Sequence, residues 1–277
     1  MTTTDDHQTS APTGAGQLPR TIDVTDDQRV PFARLVAVET RKSFDTRAGR
    51  WLTISIVGLV LVVVGVGVFA FPDDAQDYVS LLGVTGGVLG YFLPILMIML
   101  VTSEWSQRTG LNTFTLEPRR TRVIGAKITA GLGLAVVVLA LGAAIAAVGV
   151  LLSPANGGEA VWNLGYNEVQ NFSLSSLIGV LVGFALAMLL RSSPVAIVVY
   201  FVYTFILPGV VAALGALVDG FDKVAPWIEF NTAQTPLFTG DYRATGEEWA
   251  QIAVTGLIWL VVPFVLGLWR LVRAEVK

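Results

Sequence analysis

The stretch WLTISIVGLVLVVVGVGVFAF, Trp51 to Phe71, carries no ionisable side chain across its 21 residues. An α-helix rises about 1.5 Å per residue, so about 20 apolar residues cross the roughly 30 Å of bilayer hydrocarbon. The polar–apolar alternation of a membrane strand is absent. Backbone amides in lipid must be satisfied inside their own segment, so the run is predicted to be a membrane-spanning helix. Five further runs have the same character: Tyr78 to Thr102, Val123 to Leu152, Phe172 to Leu190, Val195 to Val218 and Trp249 to Trp269. The one ionised residue inside any of them is Lys127, near the start of the third.

The composition agrees. Of 277 residues, 53% are hydrophobic and 14% charged, where a soluble domain carries about a quarter charged. The mean hydropathy is +0.67. The predicted fold class is all-α: a polytopic integral membrane protein with six transmembrane helices. Zero Cys excludes disulfides, thiolate metal sites, a Cys nucleophile and lipidation through Cys. The single His, His7, lies in a polar tail, which excludes His-based metal sites and Ser-His triads. A net charge of −3 with no basic groove argues against a nucleic-acid partner.

Lys and Arg set the orientation. If the first run starts on the cytoplasmic side, 16 of the 18 basic residues fall inside, and only Lys223 and Arg243 outside. Both termini are therefore expected in the cytoplasm, with the chain in the plasma membrane, and an even number of spans is required.

Residues 1–30, rich in Thr, Asp, Gly and Pro, lack an apolar run and are expected to form a disordered cytoplasmic tail rather than a signal peptide. In residues 31–50, PFARLVAVETRKSFDTRAGR, a helical wheel puts Phe32, Ala33, Val36, Ala37, Thr40 and Phe44 on one arc. Arg34, Arg41, Lys42 and Asp45 fall on the other. This is either a charged juxtamembrane segment or an amphipathic helix lying on the inner leaflet and leading into the first span. Residues 51–277 make the six-helix membrane domain, with an inner loop at 103–122 and an outer one at 219–248. The inner loop, SEWSQRTGLNTFTLEPRRTR, exceeds the about 2 to 8 residues that join antiparallel helices, and is long enough for another protein to grip.

Within and after that loop come Glu104-Trp105, Thr109-Gly110, Pro118-Arg119-Arg120 and Ala126-Lys127. Their order resembles the inner loop of type-two ABC exporter permeases. The segment RLVAVETRKSFDTRAGRWL, Arg34 to Leu52, is similar to the one ahead of that family's first span. Thr109-Gly110 reverses the commoner Gly-Thr order. The resemblance covers nearly the whole chain after residue 30.

It implies a subunit that pairs with a second permease, identical or homologous, with a cytoplasmic ABC ATPase docked beneath each. ATP and Mg would be bound by that ATPase, with no cofactor on this chain. Coupling to the ATPase is implied for Glu104, Trp105, Arg108, Thr109, Gly110, Pro118 and Arg119. Trp105 would fill a groove on the ATPase or sit in the interfacial belt. Glu104 would pair across that interface, cap a helix N-terminus of its own subunit, or be a solvated helix end. Spans two and five would line the path, offering Thr85, Tyr91, Phe92, Tyr200, Tyr203, Thr204 and Phe205 for a hydrophobic or amphipathic compound. Residues 31–50 would be a connecting helix, and 219–248 would dip partly back into the membrane. The segment VAPWIEFNTAQTPLF, Val224 to Phe238, suits such a dip and equally an ordinary outer loop over the mouth.

No G-x-x-x-x-G-K-[ST] occurs, so a phosphate cradle has to come from another polypeptide. The spans offer no Asp, Glu or His for ion coupling, which disfavours a secondary transporter. The Ser-His, paired-Asp and H-E-x-x-H patterns of intramembrane enzymes are missing, and no catalytic activity is expected of the chain itself. A membrane-anchoring or assembly subunit without transport activity stays open. Gly83/Gly87, Gly86/Gly90, Gly142/Ala146 and Gly179/Gly183 are spaced for close helix packing, within the subunit or between subunits. Pro94, Pro208 and Pro263 each remove a backbone hydrogen bond inside a span and are expected to kink it.

The charge division makes a topological prediction. Cysteines introduced at Asp74, Asn156 and Asp241 of this Cys-free chain should react with an impermeant maleimide from outside intact cells. Cysteines at Thr46, Thr113 and Glu275 should react only after permeabilisation. Labelling of position 113 in intact cells would overturn the six-span arrangement.

Overall fold

The computed structural model describes residues 30–72, 76–106, 119–238 and 243–273. Helix α1, Phe32–Asp45, stops at Thr46, whose extended backbone breaks it. The Thr46 side chain accepts from Gly49 N at 3.0 Å and so caps α2, Arg47–Ala70. Helix α3 follows at Tyr78–Ser106, α4 at Arg120–Leu152 and α5 at Tyr166–Leu190. Span five is α6, Ser193–Phe201, running through a π turn at Val202–Ile206 into α7, Leu207–Leu217. Two short helices come next, α8 at Phe221–Ile228 and α9 at Phe230–Gln234. Span six is α10, Gly246–Gly256, running through a second π turn at Leu257–Val261 into α11, Val262–Arg273. Six helices are long and apolar enough to cross a membrane, and no strand occurs among the described residues. The chain has the fold of a multi-pass, all-α membrane protein.

Helix α3 is the central post. Its apolar window is 56% buried inside the chain, against 28%, 22% and 17% for spans one, five and six. It packs against α2, α4, α5 and α6. The approach to α5 is closest where Pro94 meets Gly183, at which an added Cβ would sit 2.7 Å from the Pro94 carbonyl oxygen. Gly142 likewise packs on Thr85 and Leu89, so these small residues serve contacts within the chain. Gly83, Gly87 and Gly90 have nothing within 4 Å of an added Cβ, so the space beside each is open.

At the N-terminus of α3, Asp77 takes hydrogen bonds from Ser80 N at 3.0 Å, Ser80 Oγ at 2.6 Å and Asn163 Nδ2 at 2.7 Å. Burial pushes its carboxyl pKa up, but these donors to the ionised form outweigh it and hold it below the usual range. Through Asn163, and through Tyr78 N donating to Val161 O, the loop after α4 is fastened to the start of span two.

The three span prolines are handled in two ways. Pro94 lacks the N–H that would bond to Gly90 O, yet α3 stays one helix from Tyr78 to Ser106. The Tyr200 hydroxyl of α6 donates to that Gly90 carbonyl at 3.0 Å and replaces the lost bond. Before Pro208 and Pro263 the chain instead widens into π turns. In the first, Leu207 N bonds to Val202 O, so the donor that Tyr203 O would next expect is the absent N–H of Pro208. Asn231 Nδ2 reaches that carbonyl at 3.4 Å.

Asn231 belongs to the helical hairpin α8–α9, within the stretch 219–248. Eight residues of α8 descend about 12 Å, and the apex is clasped by both π turns. Trp259 Nε1 donates to Ile228 O at 2.8 Å, and the Trp259 and Tyr203 rings lie 5.1 Å apart. Tyr203 and Trp259 are near the midpoints of their spans, so the hairpin returns about half-way down spans five and six. Its buried face is Ala225, Phe230, Ala233 and Leu237.

The replaced hydrogen bond is testable. Tyr200→Phe should cost about 1 to 3 kcal/mol, the penalty for a buried unsatisfied carbonyl. The loss should shrink in a Pro94→Ala background, where the helix regains its own N–H. Thermal unfolding of the two single variants and the double variant in detergent measures the coupling.

Candidate functional site

On helix α1, Phe32 and Phe44 of the apolar arc are exposed, as is Val38 off it, while Glu39 is buried and turned toward the bundle. The reason is electrostatic. Lys127, in the third turn of α4, is 2% exposed, and a buried ammonium needs a partner. Lys127 Nζ lies 2.6 Å from Glu39 Oε2 and 3.3 Å from Glu104 Oε1. Lys42 Nζ lies 2.6 Å from Glu39 Oε1 and 3.1 Å from Glu104 Oε1. Two carboxylates and two ammonium groups thus form a neutral square that joins α1, the last turns of α3 and the first turns of α4. Burial alone would lower the Lys42 pKa, but the Glu39 hydrogen bond and the charges of Glu39 and Glu104 outweigh it and raise it.

This arrangement corrects two expectations. Glu104 pairs with Lys42 and Lys127 of its own chain, rather than capping a helix N-terminus or standing as a solvated end. The bundle also does bury charge, at both ends, because these residues come from the margins of the apolar runs. At the end away from the square, Glu229 is 1% exposed at the hairpin apex. It is saturated by Asn231 N at 2.9 Å and Nδ2 at 2.9 Å, and by Thr232 N at 2.5 Å and Oγ1 at 2.6 Å.

Beside the square, Trp105 is half-buried, with the Arg191 guanidinium 5.8 Å from its ring centroid. Burial, followed by repulsion from Arg270 and Arg120, lowers the Arg191 pKa. Arg120 and Arg270 donate to the carbonyls of Leu271 and Leu189, at the ends of α11 and α5. Arg119 is exposed just ahead of α4. Arg108, Thr109, Gly110 and Pro118 lie outside the described residues, as does the tail before Val30.

The second feature is a cavity of about 490 Å³ between α3, α5, span five and the hairpin. Tyr91, Tyr200, Tyr203 and Thr204 line it together. Thr85 and Phe92 do not. Thr85 is fully buried toward Gly142 of α4, its hydroxyl donating to Leu81 O, and Phe92 packs on the core. Phe205 stacks on the outside of Tyr91 at 4.9 Å. Sequence reasoning missed the contributions of span four and the hairpin: Glu168, Asn171, Ser176, Asn231 and Gln234. The available signal was a row of polar residues, Asn167 to Ser176, at the start of an otherwise apolar run.

No protein-family model matches this chain, and no curated protein matches it.

The charge square makes two predictions. Lys127→Met leaves two buried carboxylates sharing one ammonium and should cost on the order of 3 to 5 kcal/mol. Adding Glu39→Gln should recover more than about 1 kcal/mol of that loss in a double-mutant cycle followed by thermal unfolding. Because the Lys42 pKa is raised on folding, its contribution is complete below the ordinary value of 10.5 and fades as pH rises through the folded value. Wild-type melting temperature should therefore fall at strongly alkaline pH, and by less in Lys42→Met.

Proposed function

We propose that this chain is the transmembrane permease subunit of an ATP-driven exporter of the type-two ABC kind, seated in the plasma membrane with both termini cytoplasmic. The charge square carries the reading. In sequence, residues 107–118 join the end of α3, just after Glu104 and Trp105, to Arg119 ahead of α4. A protein gripping that segment therefore pulls on α1, α3 and α4 as one tied body. The partner is a cytoplasmic ABC ATPase, which binds ATP and Mg; the chain itself has no phosphate-cradling motif and no catalytic role.

The cavity on the far half of α3 supports a path for a hydrophobic or amphipathic compound, and a purely anchoring subunit has no use for one. The buried carboxylates Glu39, Glu104 and Glu229 are each engaged by named donors, which favours ATP over an ion gradient as the energy source. Spans one, five and six leave most of their surface uncovered within one chain. In this reading that surface is taken up by lipid and by a second permease, identical or homologous. Nucleic acid has no place in the assembly.

Purification of the tagged chain from its native membrane should retain an ATPase with a Walker sequence, at a mass of two permeases and two ATPases. Trp105→Ala should cost on the order of 2 kcal/mol of docking, about thirtyfold in retained ATPase, at nearly unchanged melting temperature. Transport-competent membranes whose permease brings down no ATPase would sink the proposal.

A further inference from the structure

Along α3, Gly83, Gly87 and Gly90 follow one another at spacings of four and three, and therefore share a helix face. A Cβ at any of them would meet nothing within 4 Å, and all three line the cavity, so the space in front of them is built into the backbone. From Val79 to Gly90 this wall runs about 16 Å at 1.5 Å per residue. The volume of about 490 Å³ falls in the range of small-molecule sites.

The opposite walls are polar in an unusual way. Ser176 is 4% exposed and Tyr203 6%, yet neither hydroxyl bonds to another described residue, and both side chains line the cavity. Thr204 Oγ1 is buried beside Tyr200 and makes no hydrogen bond of normal geometry. Buried hydroxyls are nearly always paired, and leaving one unpaired costs free energy. The Thr204 oxygen is itself buried, while the Ser176 and Tyr203 oxygens open onto the cavity, where a bound molecule can supply their partners. Asn231 adds an acceptor, since its amide N–H groups already serve Glu229 and the Tyr203 carbonyl.

Charge narrows the class. Among the described residues no Lys, Arg or His lines the cavity, and the one ionisable carboxyl there is Glu168, in the first turn of α5. A second carboxylate, Glu229, stands behind Asn231. Among the described residues an anion would face two negative charges and no counter-charge. A cation would meet Glu168 and the aromatic rings of Tyr91, Tyr200, Tyr203 and Phe172 that line the cavity, surroundings that favour cation–π contact.

We infer that this cavity binds a lipophilic organic cation, its charge toward Glu168 and its apolar body along the glycine face of α3. This rests on the exporter reading only for the consequence that the cation is cargo; binding itself needs no ATPase. Tetraphenylphosphonium and tetraphenylborate have nearly the same shape and opposite charge, and serve as probes.

Purified full-length chain in nanodiscs should bind tetraphenylphosphonium saturably. Gly87→Leu, which fills the open face, should weaken that binding at least tenfold, and Gly83→Val should do the same if the first variant melts early. Glu168→Gln should weaken it about tenfold without lowering the melting temperature. Tetraphenylborate should show no component lost in Gly87→Leu. The inference is overturned if the wild type does not bind the cation, or if binding is unchanged in both glycine variants. Tetraphenylborate competing for the same site with equal affinity overturns it too. Cation binding that follows this pattern in a chain that never retains an ATPase supports the site and removes the exporter reading.

Discussion

A backbone carbonyl inside an apolar layer that loses its helical N–H must find another donor, because no water is there to supply one. Much of this molecule's interior follows from that constraint. Pro94 strips Gly90 O of its partner, and the Tyr200 hydroxyl fixes α6 against α3 by replacing it. Pro208 and the π turn ahead of it strip Tyr203 O, and Asn231 brings the hairpin apex to it. Ile228 O, at the end of α8, is taken by Trp259 from the other π turn. Each repair crosses between elements, so satisfying the backbone also sets tertiary arrangement. The cavity is bounded by these same repairs: Tyr200, Tyr203 and Asn231 line it because they are held there by carbonyls.

Charge is treated at the two ends by different means. Glu229 is satisfied locally, by donors from Asn231 and Thr232, and would keep its partners if the hairpin moved as a unit. The square of Glu39, Lys42, Glu104 and Lys127 is long-range, with each carboxylate shared between two helices' worth of partners. A buried ion pair adds little net stability over an apolar packing of the same volume, but separating its members is expensive. The square thus gives α1, α3 and α4 few intermediate positions relative to one another: they stay together or come apart.

The six spans were legible in the sequence because apolar length is a one-dimensional property, and Thr46 alone shifts the first start to Arg47. The inward turn of Glu39 was not. A helical wheel sorts residues by polarity alone, whereas Glu39 faces the bundle because Lys127 has to be answered. Lys127 was the visible clue, a single charge inside an apolar run, but nothing along the chain says which of the acidic residues meets it. The aromatic side of the cavity could be named from spans two and five. Ser176, Glu168 and the hairpin could not, since their relevance comes from α5 packing on α3 at Gly183, a contact between residues far apart in sequence. The prolines were visible as breaks, while the side chains that mend them were not.

Both features sit on one helix. Glu104 is at one end of α3 and the open glycines are toward the other, with Pro94 between them. An ordinary helix would pass a displacement along its length through an unbroken ladder of backbone bonds. Here one rung is missing, and its replacement belongs to Tyr200, a residue of the cavity wall. Any bend of α3 at Pro94 must therefore stretch or release the Tyr200 bond, and any molecule that moves the Tyr200 ring acts on the same joint from the other side. The end tied to α1 and α4 and the end that fronts the cavity meet mechanically at that one hydrogen bond.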